Sequence, residues 1–336
     1  FELNAATLRS RRPRPASMAS GMQLVGTAAV VYAGFVWWRL TLLRKAILDC
    51  RRSGPFWLCH LAARLARFAA RLNGVRLASE SGEGLEVTLT RNVMYVWHPH
   101  GFVAYTPAHI LGEKAIKCEP HGREWFGTCL PLLFKVPLLG EIFQLTNARP
   151  VDQKTIESIL ANGKSLAIQP GGVKEQAFTR HDQEQAFFSK KLGFVRIAIK
   201  YGTPLMPVYL FGENQLYKRV EGFDWLMRFF RRMTGLTVPI VTAKAGLPQA
   251  GLIPRATDIH IRWGLPVEVG SPESNPSEER VQEVFARYLA ELQRLFGANA
   301  KDCLPREVAE KGLKVVMLDG NAPTQNAPPS SAASRT

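Results

Sequence analysis

Residues 191–214 read KLGFVRIAIKYGTPLMPVYLFGEN, and this stretch indicates the fold class. In its first half, apolar residues recur at the spacing of a helix, which predicts a helix over Gly193–Tyr201. After a Gly-Thr-Pro turn, Leu205–Phe211 is apolar throughout and predicts a buried strand. A short helix that leads directly into a buried strand is typical of α/β folds with a largely parallel sheet.

The same alternation of helices and strands extends to both sides of this unit. Short apolar runs and helical periodicity predict the further elements. In chain order these are strands at Val87–Leu89 and Val93–Trp97, a helix over 152–161, a strand at Ser165–Ile168, strands at Ile259–Trp263 and Val267–Val269, and a long amphipathic helix at Ser277–Phe296. We therefore predict one α/β domain over residues 84–318, with a mixed, largely parallel sheet flanked by helices.

The segment before this domain, residues 21–83, has the character of a membrane-associated region. Gly21–Trp38 contains no charged residue, and its length is at the short end of the roughly 17–25 apolar residues that span a bilayer. We predict a membrane helix or one arm of a hairpin here, with basic flanks that favour the cytosolic side. Residues 55–77 carry an apolar face and an arginine face. This pattern fits a helix in the membrane interface and a helix packed on the domain equally well.

The composition narrows the class of partner. The 336 residues carry a formal net charge of +15, which favours nucleic acid, anionic lipid or a phosphorylated substrate. No stripe of basic and aromatic residues accompanies the charge, so nucleic acid is the least expected. The five cysteines are widely spaced, which argues against a disulfide framework or a zinc site. Residues 1–20 are predicted to be a basic disordered tail or a targeting segment, and residues 319–336 a disordered tail.

The strongest chemical signal is His98-Pro99-His100-Gly101, directly after the predicted strand Val93–Trp97. Catalytic groups of α/β proteins collect just past the carboxyl ends of strands. An imidazole can be neutral at pH 7 and accept a proton, and a glycine allows a ligand or another backbone to approach closely. A pair of hydrogen-bonded histidines in a tight turn is the simpler alternative, which this pattern favours less.

A second segment, QPGGVKE at 169–175, also follows a predicted strand. The amides of Gly171 and Gly172 could meet an oxyanion or a phosphate in such a turn. Glu175 could orient an imidazole in the way that the acid of a catalytic triad does. Taken alone, this segment is better explained as an ordinary Pro-Gly turn.

A third segment, FGEN at 211–214, delivers Glu213 and Asn214 to the same edge of the sheet. Three polar segments at three strand ends predict one cleft. From the residues alone, a metal-dependent hydrolase that binds its metal through His98 and His100 remains an alternative. A basic, membrane-anchored scaffold without enzymatic activity is a third reading.

Five segments resemble the type-2 diacylglycerol acyltransferase family, which also contains monoacylglycerol and wax-alcohol acyltransferases. They are YVWHPHGF (95–102), NARPVDQKTIESIL (147–160), IQPGGVKEQ (168–176), KLGFVRIAIKYGTPLMPVYLFGENQLYK (191–218) and WGLPVEV (263–269). The resemblance implies an endoplasmic reticulum membrane protein, associated with lipid droplets, whose catalytic domain faces the cytosol. It implies transfer of an acyl group from acyl-CoA to diacylglycerol without a metal or cofactor. Acceptor preference and homodimer formation stay open.

The resemblance also suggests roles for individual residues. We expect His100 to act as general base, with His98 packing beside it or sharing its role. No acid follows the histidines at the spacing of the glycerophospholipid acyltransferases, so Glu175 is the candidate partner. The remaining expected substrate contacts are Pro99, Gly101, Phe194, Glu213 and Asn214, with Gly171 and Gly172 at the oxyanion and with Arg196 and Arg149 at the CoA phosphates. The apolar run Leu130–Leu139 could line an acyl path, but we interpret it as core.

Overall fold

The computed structural model describes residues 26–37, 50–220, 222–223, 225–226, 229, 232–233, 240–242, 248–249, 253–319 and 322–324. The chain divides into two compact units, Phe1–Lys45 and Ala46–Thr336. The predicted basic tail, residues 1–20, lies outside the described residues.

In the first unit, residues 26–37 form helix α1, whose side chains are almost all exposed. This helix covers the middle of the predicted membrane segment Gly21–Trp38, while residues 21–25 and 38 are not described. Within the described ranges, no helix is both long enough and apolar enough to span a membrane. The membrane segment therefore stays a prediction.

The second unit is built on β-sheets. Its strands are β1 (Val75–Ser81), β2 (Met94–His98), β3 (Trp125–Cys129), β4 (Ala148–Pro150), β5 (Ser165–Ile168), β6 (Gln185–Ser189), β7 (Leu205–Phe211), β8 (Lys218–Arg219), β9 (Val241–Thr242), β10 (Pro248–Gln249), β11 (Thr257–Trp263), β12 (Lys314–Asp319) and β13 (Ala322–Thr324). The main sheet has seven strands in the order β1-β11-β7-β2-β5-β3-β4. Five neighbours, β7, β2, β5, β3 and β4, run parallel, while β11 is antiparallel to β7. The predicted mixed, largely parallel sheet is thus confirmed.

Helices cover the sheet. They are α2 (Phe56–Leu72), α3 (Gly112–Ile116), α4 (Leu139–Leu145), α5 (Gln153–Ala161), α6 (Gly172–Phe178), α7 (Gly193–Tyr201), α8 (Glu278–Cys303) and α9 (Arg306–Ala309). Two helices begin at polar caps: the Asp152 carboxylate accepts the Thr155 amide before α5, and the Ser277 hydroxyl accepts the Arg280 amide before α8. Such caps satisfy amides that a helix start leaves without partners.

The central strand β2 is buried on both faces, as expected for a parallel strand between two layers. Met94 and Val96 join the core beneath α5, α7 and α8. Tyr95 and Trp97 join a second core on the opposite face, which is rich in aromatic rings. The alternation explains why the sequence of β2 is apolar without a polar face.

Several predicted boundaries differ from the structure. Residues 87–89 form no strand, and from the predicted strand Val267–Val269 only Val267 makes a bridge, to Leu205. The domain start predicted at residue 84 separates β1 from the sheet to which it belongs. In the predicted C-terminal tail, residues 322–324 form β13, which pairs with β12, and residues 325–336 are not described.

Candidate active site

A cavity of about 700 Å³ lies at the carboxyl ends of β2, β3 and β5. We call it the main cavity. Its polar wall includes His100, Gln169 and Gly172, and apolar side chains form most of the rest. Among these are Trp97, Leu111, Leu133, Phe143 and Phe194. A largely apolar cavity with a few polar groups on one side is the usual form of a small-molecule site.

His100 lies in the wall of the main cavity, just beyond the end of β2. Its Nδ1 is 3.2 Å from the carbonyl oxygen of Gly101, so the tautomer with the proton on Nδ1 donates to that oxygen. Nε2 then keeps its lone pair and can accept a proton from a substrate. Burial lowers the pKa of His100 to about 4, so the ring is neutral at pH 7.

His98 has a different environment. It is fully buried, with Nε2 2.8 Å from the hydroxyl of Tyr288 and its ring against Phe188. Its Nδ1 has no hydrogen-bond partner among the described residues, and burial lowers the pKa of the ring to about 3. His98 does not line the main cavity. Of the two histidines between which the sequence could not choose, His100 is the one that lines the main cavity.

Glu175 comes close to His100, but at the main chain instead of the ring. Its Oε1 accepts the backbone amide of His100 at 2.7 Å. The expected contact with the imidazole is absent in this structure, where the Gly101 carbonyl takes that place. Burial raises the pKa of Glu175 to about 8, although the hydrogen bond from His100 lowers it. Glu175 therefore holds the backbone that carries the imidazole.

Gly171 and Gly172 form the turn beside this contact. A Cβ at Gly171 would lie 2.0 Å from Oε2 of Glu175, so only a glycine fits there. The amide of Gly172 donates to the carbonyl of Gln169 at 3.2 Å. The Gly172 amide is thus engaged within the turn, while Gly171 is constrained by the Glu175 side chain. The oxyanion role expected for the two glycines stays a prediction.

Glu213 fixes the loop that follows the histidines. Its two carboxylate oxygens accept the backbone amides of Tyr105 and Thr106, at 2.6 and 3.0 Å. Gly101 has a φ of +68°, and a Cβ there would lie 2.8 Å from Cγ of Glu213. The close approach predicted at Gly101 is thus made by a side chain. Burial raises the pKa of Glu213 to about 7.

Asn214 belongs to a buried network around Glu184, a residue that the sequence reasoning missed. Asn214 Nδ2 and the Tyr209 hydroxyl donate to Glu184 Oε2 at 2.9 and 2.8 Å, and Gln215 Nε2 donates to Oε1 at 2.9 Å. Glu184 is fully buried, and burial raises its pKa. Only its position directly before strand β6 could have drawn attention to it. Neither Asn214 nor Glu213 lines the main cavity, and both are buried in hydrogen-bond networks beside it.

Arg149 is not available to a phosphate. It is fully buried, and its guanidinium donates to the carbonyl oxygens of Ala148 and Arg51 and lies over the ring of Phe126. Burial lowers its pKa to about 10. The predicted contact with CoA is therefore not supported, because Arg149 ties the chain before α2 to β4.

The other expected contacts are divided between two places. Phe194 lines the main cavity, and the carbonyl of Pro99 accepts a hydrogen bond from Gln169 Nε2 at 3.3 Å. Arg196 lies outside the main cavity and pairs with Glu278 at the start of α8. The run Leu130–Leu139 is not plain core, because Leu130 and Leu133 line the main cavity and Leu138 is 77% exposed.

The chain matches known acyltransferases. The family model "Diacylglycerol acyltransferase" matches residues 49–307. Diacylglycerol O-acyltransferase 2B of Umbelopsis ramanniana is 29% identical over 221 residues, which cover 61% of this chain and 62% of that protein. The 2-acylglycerol O-acyltransferase 1 of Bos taurus is 30% identical over 219 residues, covering 62% of this chain and 65% of that protein. The chain thus matches less than two thirds of the length of either relative.

A solved structure also aligns with the chain. This structure is the 1-acyl-sn-glycerophosphate acyltransferase PlsC from Thermotoga maritima. The alignment covers 81% of this chain and 94% of PlsC, at 19% sequence identity. The TM-score of 0.37 is too low to establish a shared fold.

Proposed function

The chain belongs to the diacylglycerol acyltransferase family, and we propose that it transfers a fatty acyl group from acyl-CoA to the free hydroxyl of diacylglycerol. The observation that carries this proposal is the position of His100, a neutral imidazole in the polar wall of a largely apolar cavity. A fatty acyl chain and a glyceride both need an apolar cavity of this kind.

The proposed reaction is general-base catalysis. Nε2 of His100 accepts the proton of the acceptor hydroxyl as its oxygen attacks the thioester carbon. The carbon–sulfur bond then breaks, and the imidazolium returns the proton to the CoA thiolate. A positioned base contributes roughly 10²- to 10⁴-fold to such a step. Glu175 and Glu213 hold the two ends of the 100–106 loop, so the imidazole stays aligned with the cavity. The mechanism requires neither a metal nor a covalent intermediate.

Monoacylglycerol or a long-chain alcohol is the alternative acceptor. The 2-acylglycerol O-acyltransferase 1 of Bos taurus is as similar to this chain as the diacylglycerol enzymes are. The metal-dependent hydrolase is not favoured by the family assignment. Among the described residues, no three His, Cys, Asp or Glu side chains are grouped as a metal site would need.

We further propose a membrane surface as partner, because α2 presents its large apolar side chains outward. The helix packs on the domain through the small residues Cys59, Ala63 and Ala70. The opposite side carries exposed apolar side chains, namely Trp57, Leu61, Leu65, Phe68 and Leu72, which we call the α2 stripe. A continuous exposed apolar surface of this size marks a contact with lipid or protein.

The surroundings of the α2 stripe favour lipid. Arg64 and Arg71 are exposed beside it, and the whole chain carries a net charge of +15, which suits anionic head groups. Near α2, α4 and the turn before it also expose apolar side chains, among them Leu138 and Ile142. Phe143 of the same helix lines the main cavity. The proposed location is the cytosolic face of the endoplasmic reticulum membrane, from which an acceptor would reach the cavity directly.

Acyl transfer tests the proposal. Membranes of cells that lack neutral-lipid synthesis would receive the wild type, His100→Ala or His260→Ala, at matched protein levels. His260 serves as the control because it lies in β11 and does not line the main cavity. Labelled oleoyl-CoA would be offered with diacylglycerol, monoacylglycerol or a long-chain alcohol. We expect label in triacylglycerol with the wild type and the His260→Ala control, and a loss of about 10²-fold or more with His100→Ala. Absence of transfer to all acceptors would contradict the proposal.

The pH profile gives a second criterion. A base with a pKa of about 4 is deprotonated above that pH and protonated below it. The His100 ring therefore contributes no change in rate between pH 6 and 8 and lowers the rate only as the pH approaches 4. Changes between pH 6 and 8 are expected from Glu213 and Glu175, whose pKa values lie at about 7 and about 8. A decline centred near pH 6.5, the ordinary value for histidine, that persists in Glu213→Gln and Glu175→Gln would show that burial does not control the His100 ring.

A further inference from the structure

A second cavity, of about 740 Å³, lies beside the main cavity. Its walls come from α5, from α7 and from residues 274–276 before α8. Ile168, Gly193 and Phe194 line both cavities. The two spaces therefore adjoin at the end of β5 and the start of α7. The side chains of Ile168 and Phe194 form a wall that the two cavities share.

The second cavity differs from the main one in its charges. Arg196 and Lys200 stand one helical turn apart on α7, and both line the cavity. Lys200 Nζ is 2.8 Å from Glu157 Oε1 on α5, and Arg196 pairs with Glu278 on α8. All four side chains are more than a quarter exposed. Ion pairs at such exposed positions are weak, so an anionic ligand can displace the carboxylates.

The rest of the lining suits a flat aromatic group. Ile156 of α5 and Ile197 of α7 contribute apolar surface between the charged residues, with Pro276 from the segment before α8. Cations beside an apolar slot are the combination that recognises a phosphorylated nucleoside. A thioester of CoA carries such a group at one end and a fatty acyl chain at the other.

We propose that the second cavity binds the nucleotide end of the acyl-CoA donor, with its phosphates at Arg196 and Lys200 and its adenine between Ile156 and Ile197. The acyl chain then occupies the main cavity, and the thioester lies near the shared wall at Gly193 and Phe194. This inference rests on the proposed acyl-CoA chemistry. It makes Lys200, to which the sequence analysis assigned no role, a determinant of donor affinity.

Two acyl donors test the proposal, oleoyl-CoA and oleoyl-pantetheine, which lacks the nucleotide. For Lys200→Ala we expect the KM for oleoyl-CoA to rise about tenfold at unchanged kcat, the usual effect of losing one charge-assisted contact. The KM for oleoyl-pantetheine should not change. Adenosine 3′,5′-bisphosphate should inhibit the wild type competitively against oleoyl-CoA, and the variant more weakly.

A second variant is expected to change the KM for oleoyl-CoA in the opposite direction. Glu157→Gln removes the carboxylate that competes for Lys200, so the KM for oleoyl-CoA should fall, by about two- to threefold for a partly exposed pair. Damage to the fold would not improve binding. Lys164→Ala is the matched control, because Lys164 pairs with Glu124 at 2.6 Å and lines neither cavity. It should leave both KM values unchanged.

The results of these assays distinguish a failure of the nucleotide site from a failure of the proposed acyltransferase function. Transfer by the wild type from both donors, with an equal rise in both KM values in Lys200→Ala, would overturn the nucleotide site while leaving the acyltransferase activity established. An unchanged KM for oleoyl-CoA in both variants would do the same. A wild type that transfers from neither donor would overturn the proposed function itself.

Discussion

At the residue scale, Gly171 is the most sharply constrained position of the site. An alanine methyl there would overlap Oε2 of Glu175 at 2.0 Å, so the carboxylate would have to leave the amide of His100. We expect Gly171→Ala to lower kcat about tenfold or more and the free energy of unfolding by about 1–3 kcal/mol, the cost of an unsatisfied buried group. Acyl-transfer rates and thermal unfolding in detergent would measure both effects.

The control for this variant is Gly297→Ala in α8, where a Cβ would have no neighbour within 4 Å. Alanine is favoured over glycine inside a helix by up to about 1 kcal/mol, so this variant should keep its activity and equal or exceed the wild type in stability. If Gly171→Ala behaved in the same way, the proposed link from Gly171 through Glu175 to His100 would be incorrect.

The sequence predicted the segment that carries the proposed base but not which of its histidines lines the main cavity. The side chains of β2 alternate, and Met94 and Val96 face the core beneath α7 and α8. Counting by two from Val96 places His98 on that same buried face, where it meets Tyr288. The alternation of side chains along β2 could therefore have indicated that His98 is the buried histidine. No local signal could have shown that Glu175 binds the backbone, because that contact joins residues from two different strand ends.

At the scale of single elements, the exposed apolar side of α2 can be tested by substitution. Replacing Leu61, Leu65 and Phe68 together by serine removes the centre of the α2 stripe without touching the buried face. Each of these side chains contributes up to about 1.5–3 kcal/mol when it moves from water into lipid. We expect transfer to diacylglycerol embedded in phospholipid vesicles to fall about tenfold or more, and transfer to a short-chain, water-soluble diacylglycerol to stay unchanged.

Leu265→Ser provides the control, because Leu265 is also exposed but lies in the loop after β11, outside the α2 stripe. It should leave both rates unchanged, and thermal unfolding should be the same for all three proteins. Equal losses with both acceptors in the triple variant would indicate a defect in the site itself, against a role for the α2 stripe in reaching lipid.

The sequence could not show whether the apolar stripe of α2 faces the core or the surface, because such a stripe has the same period in both cases. The deciding residues are the small ones on the opposite side, Cys59, Ala63 and Ala70, which permit close packing on the domain. Strand β1 was missed for a related reason. Its sequence VRLASES is mostly polar, because it is an edge strand with one side in water.

At the scale of the whole molecule, the pairings that close the fold join distant parts of the chain. The contact between Arg76 of β1 and Asp258 of β11 spans 182 residues, and the contact between Gln183 and Gly312 spans 129. Local patterns predict elements, but they carry no information on which distant strands pair. For this reason the helix and strand of residues 193–211 were predicted with their observed bounds, whereas β12 was not predicted at all.

Strand β12 lies beyond the region that the family model matches, which ends at residue 307, yet it is placed to support the site. It pairs in parallel with β6, and Val316 and Leu318 pack against the buried ring of Phe187. Directly after β6, residues 191–193 line the main cavity. Removing β12 would thus expose the apolar side chains of β6 and release one wall of the cavity.

We therefore expect a chain that ends at Gly312 to lose about 3–5 kcal/mol of unfolding free energy, the cost of emptying a site packed with large apolar side chains. Its acyl transfer should fall by about tenfold or more, since unfolding of the edge strand disorders the segment next to His100's cavity. A chain that ends at Thr324 keeps β12 and β13 and should match the full chain in both measurements. Full activity in the shorter chain would mean that β6 and the cavity wall are stable without their C-terminal partner, so that the catalytic unit would end with the family match.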